Sequence, residues 1–243
     1  MDKYYLTENI FLTEKEMFCE KNNKIKKINT RDWHLSLYEY GWNKLPLQWI
    51  KKINNLSNQK NKNSRYAIYN CKTDGNCFFQ CIANSFNERD RFKGEEYNSE
   101  DIRNMIADSI TLEDYENVIS YYKIMKDADD FDEEWNPYDI QTLEDFKRQI
   151  REPGNNYWGD WLLLTILTKT LQLNIFILNS SVEEKDYTIY NTCINYNQNY
   201  DSIFLLFENG DHFQLIGYFD DNQMISYFKV IPHELKRLFQ IHD

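Results

Sequence analysis

A tight turn between a predicted strand and a predicted helix restricts the fold of this chain more than any other segment. The strand Tyr66–Tyr69 is aromatic and aliphatic, and it leads into the sequence TDGNCFF at residues 73–79. Gly75 supplies the positive φ that a sharp reversal needs, and Asn76 is a favourable residue for capping a helix. The helix would then begin at Cys77 and bury one apolar face. That face consists of Phe78, Cys81, Ile82 and Phe86.

The predicted position of Cys77 suits a nucleophile. The first N–H groups of a helix have no partners within it, and together with the helix dipole they stabilise a thiolate. The same N–H groups can stabilise the negative oxygen of a tetrahedral intermediate in acyl transfer. The alternative is that Cys77 is a small buried apolar residue, as most free cysteines are. This segment alone leaves both interpretations open.

The charge and the cysteines of the chain exclude several classes of function. The formal net charge is −11, so a surface that follows nucleic-acid phosphates is not expected, and a basic protein partner is favoured. No apolar segment approaches the roughly 18 residues that a membrane-spanning helix needs. The five cysteines lack disulfide-framework spacing, and the start of the sequence lacks a signal-peptide pattern. We therefore expect a cytoplasmic, reduced monomer, and the abundance of Asn, Lys, Ile and Tyr indicates an AT-rich genome, viral genomes among the candidates.

The sequence predicts three regions. Residues 1–64 form a partly helical N-terminal extension, residues 65–230 the main domain, and residues 231–243 a C-terminal helix and tail. We expect an aromatic cluster of the extension to dock on the main domain, since large exposed aromatic patches are uncommon on soluble monomers. The alternative is a partner-binding face. The tryptophans of this cluster are Trp33, Trp42 and Trp49. The polar segment over residues 51–64 is predicted to be a linker.

Residues 87–157 are predicted to be helical and acidic. Ser99 is the predicted N-cap of one helix, and two later helices are predicted to begin with capping boxes. These capping boxes pair Thr111 with Asp114, and Thr142 with Asp145. Between the two boxes, acidic residues surround Phe131 and Trp135. This segment is either a solvated loop or an acidic contact surface with two aromatic anchors for a basic protein.

The last third of the chain is predicted to contain the remaining strands. Asp160 is the predicted N-cap of an apolar helix, and Asn209-Gly210 between two apolar segments is a strong hairpin signal. The predicted elements are a helix over 161–171, strands over 175–178, 203–207, 212–216 and 224–230, and a short helix over 232–239. Together with the earlier helices, this order predicts an α+β (mixed α/β) domain.

His212 is the candidate base for the Cys77 thiol. It would begin a strand directly after a tight turn, where a side chain can reach a cleft, and the other three histidines have no such setting. A cysteine at a helix start with a histidine on a distant strand is the arrangement of papain-like proteases. In these enzymes imidazole takes the thiol proton and later protonates the leaving amine. Taken alone, however, a histidine beside a turn is more often structural.

Three separated blocks of the chain resemble the ovarian tumour (OTU) family of cysteine proteases, which are deubiquitinases. The first block is TDGNCFF at residues 73–79, and the second is Trp158-Gly159-Asp160, which begins an apolar helix leading to the strand NIFIL at 174–178. The third is IFLLF at 203–207, followed by His212-Phe213. The blocks span about residues 65–230. The resemblance implies a papain-like α+β fold in which helices flank a small central sheet.

The resemblance also implies roles for individual residues. Cys77 would be the nucleophile and His212 its general base. Asp74, Gly75 and Asn76 would form the oxyanion loop, and Asp74 is often counted with the catalytic residues of the family. The second block would be structural, because it sets the helix that packs behind the site.

One residue departs from the family pattern. The family usually places Asp or Asn two residues after the histidine, and here that residue is Gln214, which carries no charge. The third catalytic member would then be Gln214 or a carboxylate elsewhere in the chain. The partner implied by the resemblance is ubiquitin or polyubiquitin, with no cofactor and no metal. Phe131, Trp135 and Asp211 are candidates for contact with this substrate.

Two alternatives stay open at the level of sequence. The departure at Gln214 is also compatible with a catalytically weakened ubiquitin-binding module. A zinc site formed by cysteines and His212 is disfavoured, because no C-x-x-C pair exists and few ligands would converge. The ligands of such a site would be Cys71, Cys77, Cys81 and His212.

Overall fold

The computed structural model describes residues 3–57, 64–131, 133–180, 188–190 and 196–241. Over these ranges the chain combines helices with two β-sheets, and the predicted α+β class is confirmed. Part of the predicted linker, residues 58–63, and Asp132 of the acidic segment lie outside the described residues. In the described part, no helix is both long enough and apolar enough to cross a membrane.

A small antiparallel sheet forms the start of the chain. Its strands are β1 (Tyr4–Tyr5), β2 (Ile10–Leu12), β3 (Met17–Lys21) and β4 (Lys24–Lys27), in that order across the sheet. The sequence patterns did not predict this sheet. Its inner residues Ile10, Leu12 and Met17 are buried in the core of the main domain, and the N–H of Met17 donates to the carbonyl of Asn222 at 2.8 Å.

The larger sheet carries the elements that meet at the candidate site. Its strands are β5 (Trp42–Lys44), β6 (Tyr66–Tyr69), β7 (Leu173–Ser180), β8 (Ile189–Tyr190), β9 (Asp201–Glu208), β10 (His212–Phe219) and β11 (Met224–Ile225). The order across the sheet is β5-β6-β10-β9-β7-β8, and β11 also pairs with β10. Only the β7–β9 pair is parallel among the described strands.

Helices cover both faces of this sheet. They are α1 (Trp33–Leu37), α2 (Leu47–Leu56), α3 (Cys77–Asp90), α4 (Ser99–Ser109), α5 (Leu112–Asp127), α6 (Leu143–Arg151), α7 (Trp161–Leu171) and α8 (His233–Leu238). Both predicted capping boxes form, and Asp160 accepts from the Leu163 N–H at 3.1 Å as the N-cap of α7. The predicted cap at Ser99 is wrong by one residue, because Asn98 is the N-cap and forms a capping box with Asp101.

Alternate residues of the central strands face two separate apolar cores, as the two-residue repeat of a strand requires. One core lies against α3–α7 and receives Ile175, Ile177, Ile203, Leu205 and Leu215. The other lies against α2 and α8 and receives Phe176, Leu178, Phe204, Leu206 and Ile216. Because both faces are buried, these strands are apolar over nearly their whole length.

The extension contributes to both cores. Trp33 and Trp42 belong to the first core and Trp49 to the second, and all three side chains are buried. Strand β5 extends the larger sheet beside β6, and α2 continues to Leu56, where a linker was expected. The division at residue 64 stays a prediction. The strand expected over 224–230 is shorter, since β11 ends at Ile225 and a single bridge joins Phe228 to Ser202.

Candidate active site

The turn between β6 and α3 is closed by a glycine that has no room for a side chain. Gly75 has φ +75°, in the left-handed region, and a Cβ there would lie 2.3 Å from the carbonyl carbon of Gly154. Asp74 is exposed, and its Oδ1 accepts from the Asn76 N–H at 3.1 Å. Asp74 therefore shapes the turn by a local hydrogen bond. The loop around Gly154 packs directly on the turn that precedes Cys77.

Asn76 occupies the N-cap of α3, but its side chain does not cap the helix. Its Oδ1 accepts instead from the Gly154 N–H at 3.0 Å and from Arg103 of α4, whose Nη2 lies 2.9 Å away. The expected capping bond is thus replaced by contacts to two distant segments. As a consequence, the first N–H groups of α3 are not occupied by the Asn76 side chain.

The side chain of Arg103 connects these segments by hydrogen bonds, a role that no sequence pattern predicted. Its guanidinium donates to the carbonyl oxygens of Ile150 at 2.9 Å and Tyr157 at 3.0 Å, and it stacks on the ring of Phe79 at 4.0 Å. Burial lowers the pKa of Arg103 to about 10. A sequence signal existed, because this arginine lies next to Ile102 on the buried side of α4.

Cys77 is the first residue of α3, as predicted, and its side chain is buried. Burial raises the pKa of the Cys77 thiol, while N–H groups of Phe213 and Phe78 act in the opposite direction. The N–H group at the helix start thus favours the thiolate, as expected, but removal of the thiol from water outweighs it. A neighbouring base that takes the proton would offset this effect of burial.

The sulfur of Cys77 lies against the start of β10. The backbone N–H of Phe213 donates to Cys77 Sγ at 3.4 Å, although the two residues are 136 positions apart in sequence. His212 immediately precedes Phe213, is the first residue of β10 and is half-buried. The structure thus brings the strand end that carries His212 to the start of the helix that carries Cys77.

A hairpin holds His212 in this position. Asn209 and Gly210 both have positive φ, as a type I′ turn requires, and the Asp211 N–H donates to the Glu208 carbonyl at 3.3 Å. The predicted hairpin is confirmed. Asp211 is exposed at its tip. In the ladder between β9 and β10, His212 lies directly opposite Glu208.

Gln214 lies on β10 two residues beyond His212 and is buried. Its Nε2 donates to Glu208 Oε2 at 3.0 Å, and its Oε1 is buried without a hydrogen-bond partner among the described residues. The carboxylate that contacts Gln214 and lies opposite His212 in the ladder is thus that of Glu208, which was not among the predicted site residues. Glu208 and Gln214 are six positions apart on either side of the Asn209-Gly210 turn, so the predicted hairpin is the signal that could have identified Glu208.

The block Trp158-Gly159-Asp160 packs behind the turn. A Cβ on Gly159 would lie 1.9 Å from the ring of Phe78, so the loop before α7 can lie against α3 here only because this residue is a glycine. Burial raises the pKa of Asp160 to about 6, while hydrogen bonds from Tyr122 and from backbone N–H groups act in the opposite direction. Burial also raises the pKa of Glu133, to about 7, although its carboxylate accepts from the Trp158 N–H at 3.0 Å.

The proposed aromatic anchors are not at the surface. Phe131 and Trp135 are buried, and both rings contact Tyr122 of α5 edge to face, with centroids 5.6 and 5.1 Å away. The acidic segment is therefore fixed to the core by its aromatic residues, and these two offer little surface to a partner. Burial of these rings gives no support to the interpretation of the segment as a contact surface with two aromatic anchors, and the contact of Phe131 and Trp135 with a substrate stays a prediction.

Two further cysteines lie behind the turn. The sulfur atoms of Cys71 and Cys81 are 3.4 Å apart, and both side chains are buried. Among the described residues there is no group of three or more His, Cys, Asp or Glu side chains arranged to hold a metal ion. The zinc alternative thus gains no support from the arrangement of these side chains.

Comparison with known proteins gives a family match that covers the site. The family model for OTU-like cysteine proteases matches residues 72–213, more than half of the chain, from just before the turn to the residue after His212. No curated protein sequence matches the chain.

Several solved structures are similar to parts of the chain. An ovarian tumour (OTU) domain in complex with ubiquitin is 18% identical and has a TM-score of 0.40, covering 71% of this chain and 80% of its own. An OTU deubiquitinase from Wolbachia pipientis wMel, bound to ubiquitin, is 14% identical with a TM-score of 0.43, covering 65% and 99%. The Hazara virus OTU bound to ubiquitin is 15% identical with a TM-score of 0.38, covering 66% and 82%.

Proposed function

This chain belongs to the OTU-like cysteine protease family, and we propose that it is a thiol-dependent deubiquitinase. It would hydrolyse peptide and isopeptide bonds at the C-terminus of ubiquitin. The observation that carries the proposal is the contact between the Phe213 N–H and Cys77 Sγ, at 3.4 Å. It supports the proposal because Phe213 directly follows His212, the proposed base, and Cys77 is the only thiol that begins a helix among the described residues. Ubiquitin is the substrate implied by the resemblance of the three sequence blocks.

The proposed reaction proceeds through an acyl-enzyme. His212 takes the proton of the Cys77 thiol, and the sulfur attacks the carbonyl carbon of the last ubiquitin residue. The negative oxygen is stabilised by the N–H groups at the start of α3, including that of Cys77. His212 then protonates the leaving amine as the C–N bond breaks. Water, deprotonated by His212, hydrolyses the thioester and regenerates the thiol.

The burial of Cys77 makes the base essential to this proposal. Since burial raises the pKa of the thiol, little thiolate would be present at neutral pH without a neighbouring imidazole. Arg103, Asn76 and the Gly154 loop would keep the turn in place while charge develops on the substrate oxygen. A fixed set of donors stabilises this charge without rearranging during the reaction.

A second candidate function is a ubiquitin-binding module with little or no activity. Two observations favour it: Gln214 has no charge to stabilise an imidazolium, and burial disfavours the Cys77 thiolate. Loss of the charged orienting residue costs about 10⁴ in kcat in serine proteases. The fold and the surface for ubiquitin would be the same in both cases.

Ubiquitin that carries a C-terminal electrophile separates the two candidates. We expect the wild-type chain to form a one-to-one covalent adduct, detected by intact mass, and Cys77→Ala to form none. Cys19→Ser is the matched control, because Cys19 is a partly exposed thiol on β3 far from the turn in sequence. His212→Ala should slow adduct formation by about 10²-fold or more. Ubiquitin binding without an adduct would establish the module instead, and absence of both would refute both candidates.

A panel of di-ubiquitins then tests turnover. Wild type is expected to cleave at least one linkage, and Cys77→Ala none. The proposed general base predicts that His212→Ala abolishes cleavage while leaving the affinity for ubiquitin within about twofold. If wild type forms the adduct but cleaves no linkage, the deubiquitinase assignment fails for ubiquitin chains.

A further inference from the structure

We propose that Glu208 is a positioning residue that fixes the Gln214 amide so that Gln214 Oε1 accepts the Nδ1–H of His212. Two residues would thereby do what a single Asp or Asn usually does two positions after the histidine. The catalytic consequence rests on the proposed function of Cys77 and His212. The structural part of the proposal does not.

The contact between Glu208 and Gln214 fixes the orientation of the amide. Gln214 Nε2 lies 3.0 Å from Glu208 Oε2. A carboxylate only accepts hydrogen bonds, so the nitrogen of the amide must face it and the oxygen must face away. With a neutral partner, the two ends of the amide could exchange places.

The oxygen of this amide lacks a donor. Gln214 is only 6% exposed, and its Oε1 has no hydrogen-bond partner among the described residues. A buried acceptor left unpaired costs about 1–3 kcal/mol, and buried polar groups are nearly always satisfied. The arrangement therefore calls for a donor close to β10.

His212 is the neighbour that can supply this donor. It lies two residues before Gln214 on the same strand, so both side chains project from the same face of the sheet. Residues with this spacing are roughly 7 Å apart along a strand, a gap that an imidazole and a glutamine side chain can close. Glu208 lies directly opposite His212 on β9, so all three side chains share this part of the sheet.

This hydrogen bond would set the tautomer of the base. With its proton on Nδ1, the His212 ring has an unprotonated Nε2, the nitrogen that would accept the proton of the Cys77 thiol. The Glu208 carboxylate also places a negative charge behind the amide, which stabilises the imidazolium that forms when the thiol loses its proton. Gln214 is longer than Asp or Asn, and the contact to Glu208 holds the extra length in one orientation.

Nitrogen-15 NMR of the imidazole tests the structural part without any reference to activity. The His212 signals are identified by their loss in His212→Ala. We expect wild type to show the Nδ1-protonated tautomer, and both Glu208→Gln and Gln214→Leu to show a mixture of tautomers. The matched control is Asp201→Asn, which removes one negative charge from the opposite end of β9, roughly 20 Å away. This control should leave the tautomer as in wild type.

Steady-state kinetics with a ubiquitin substrate tests the catalytic consequence. Glu208→Gln should lower kcat roughly tenfold with KM unchanged, as the loss of a partner that orients a functional side chain does elsewhere. Adding Gln214→Asp to Glu208→Gln restores a carboxylate two residues after His212, and it should recover most of the lost kcat. A residue that supports only the fold would not be rescued in this way.

The outcomes are distinct. The proposal is overturned if Glu208→Gln keeps the wild-type tautomer. It is also overturned if Gln214→Leu keeps the wild-type tautomer while Glu208→Gln loses it, because Glu208 would then contact the His212 ring directly. A wild-type chain that shows no Cys77-dependent chemistry would refute the proposed function. The tautomer measurement would still decide the role of Glu208.

Discussion

Arg103 shows how a single buried side chain can hold the candidate site together. Its guanidinium contacts the turn before Cys77 through Asn76, and it reaches the Ile150 and Tyr157 carbonyls on the far side. Arg103→Met keeps most of the volume but leaves these acceptors buried and unpaired. We expect the free energy of unfolding in urea to fall by about 3 kcal/mol, and Cys77-dependent adduct formation to slow.

The matched control for this prediction is Arg151→Met. Arg151 forms an ion pair with Asp108 at the surface, and such pairs contribute about 0–1 kcal/mol. An equal loss of stability in both variants would show that the buried hydrogen bonds of Arg103 contribute nothing beyond an exposed pair.

Glu133 makes the stability of the fold depend on pH. Burial raises its pKa from 4.5 to about 7, so the folded state binds this proton more tightly than the unfolded state does. Its contribution to stability is fully present below about pH 4.5 and is lost as the pH rises through about 7. Relative to Glu133→Gln, the free energy of unfolding of the wild type should fall by at most ~3 kcal/mol across this pH range.

The measurement is urea unfolding at a series of pH values. Glu134→Gln is the control, because Glu134 is the exposed neighbour of Glu133 in the same segment. The difference between wild type and Glu133→Gln should shrink as the pH falls toward 4.5. A constant difference between pH 4.5 and 8 would contradict the raised pKa of Glu133.

Among single residues, those predicted from the sequence belong to short local patterns. Cys77 comes directly after the turn that contains Gly75, and His212 follows the Asn209-Gly210 turn. Each position can therefore be predicted from its own short segment. The role of Arg103 depends on contacts with residues up to 54 positions away, and the role of Glu208 depends on a contact with the next strand. The place of Arg103 beside Ile102 on α4 and the predicted hairpin around Glu208 are local signals, but neither identifies the atoms that these side chains contact. The burial of Cys77, one of the two interpretations that the sequence leaves open, likewise depends on a distant strand.

At the scale of elements, the close packing of the turn on the Gly154 loop leads to a specific prediction for Gly75. Gly75→Ala adds a Cβ in a left-handed conformation, 2.3 Å from the carbonyl carbon of Gly154. Strain in the backbone and displacement of the loop should together cost roughly 3 kcal/mol of stability. Because the turn would shift by a fraction of an ångström or more, adduct formation should fall by about 10²-fold.

Gly94→Ala separates the two causes. Gly94 has φ +74°, almost the same as Gly75, but a Cβ there would meet no atom within 4 Å. Gly94→Ala should lower the free energy of unfolding only by the backbone strain, about 1 kcal/mol, and leave the rate of adduct formation unchanged. Equal effects of the two substitutions would mean that the contact with the Gly154 loop is unimportant.

The elements themselves were predictable to the extent that their signals are local. Capping boxes and the hairpin turn involve residues within about four positions, and these were confirmed. The misplaced cap at Ser99 reflects two adjacent good capping residues, of which Asn98 forms a capping box with Asp101. Strands β1–β4 were missed because they are short, at two to five residues each, and β4 is also polar and exposed throughout. Such strands form through pairing and burial of their neighbours, not through intrinsic preference.

At the scale of the whole molecule, the extension and the main domain share their cores. Trp42 lies against Tyr69 with ring centroids 5.1 Å apart, and Trp49 is buried in the core beneath the face of the sheet that carries Phe176 and Phe204. The residues before position 64 thus provide, through α2, part of one of the two layers that cover the larger sheet. We infer that the region containing Cys77 and the extension unfold together.

Trp49→Ala tests this inference, because it changes the extension and is read out at the candidate site. Removing a fully buried tryptophan side chain should cost about 3–5 kcal/mol. Unfolding in urea is followed by far-UV circular dichroism and by chemical labelling of the Cys77 thiol. We expect both measurements to give one coincident transition in wild type, and the same shift to lower urea in Trp49→Ala.

Leu47→Ala is the control on the same helix, because Leu47 is 63% exposed and its loss should change stability by at most about 0.5 kcal/mol. If labelling of Cys77 kept its wild-type midpoint in Trp49→Ala while circular dichroism showed an earlier, separate transition, the extension would be an independent unit. The shared cores argue for the opposite result, since Phe176 and Phe204 would lose part of their cover as soon as α2 separates from the sheet. Exposure of these rings to water removes the packing that holds β9, and the hairpin that positions His212 is continuous with that strand.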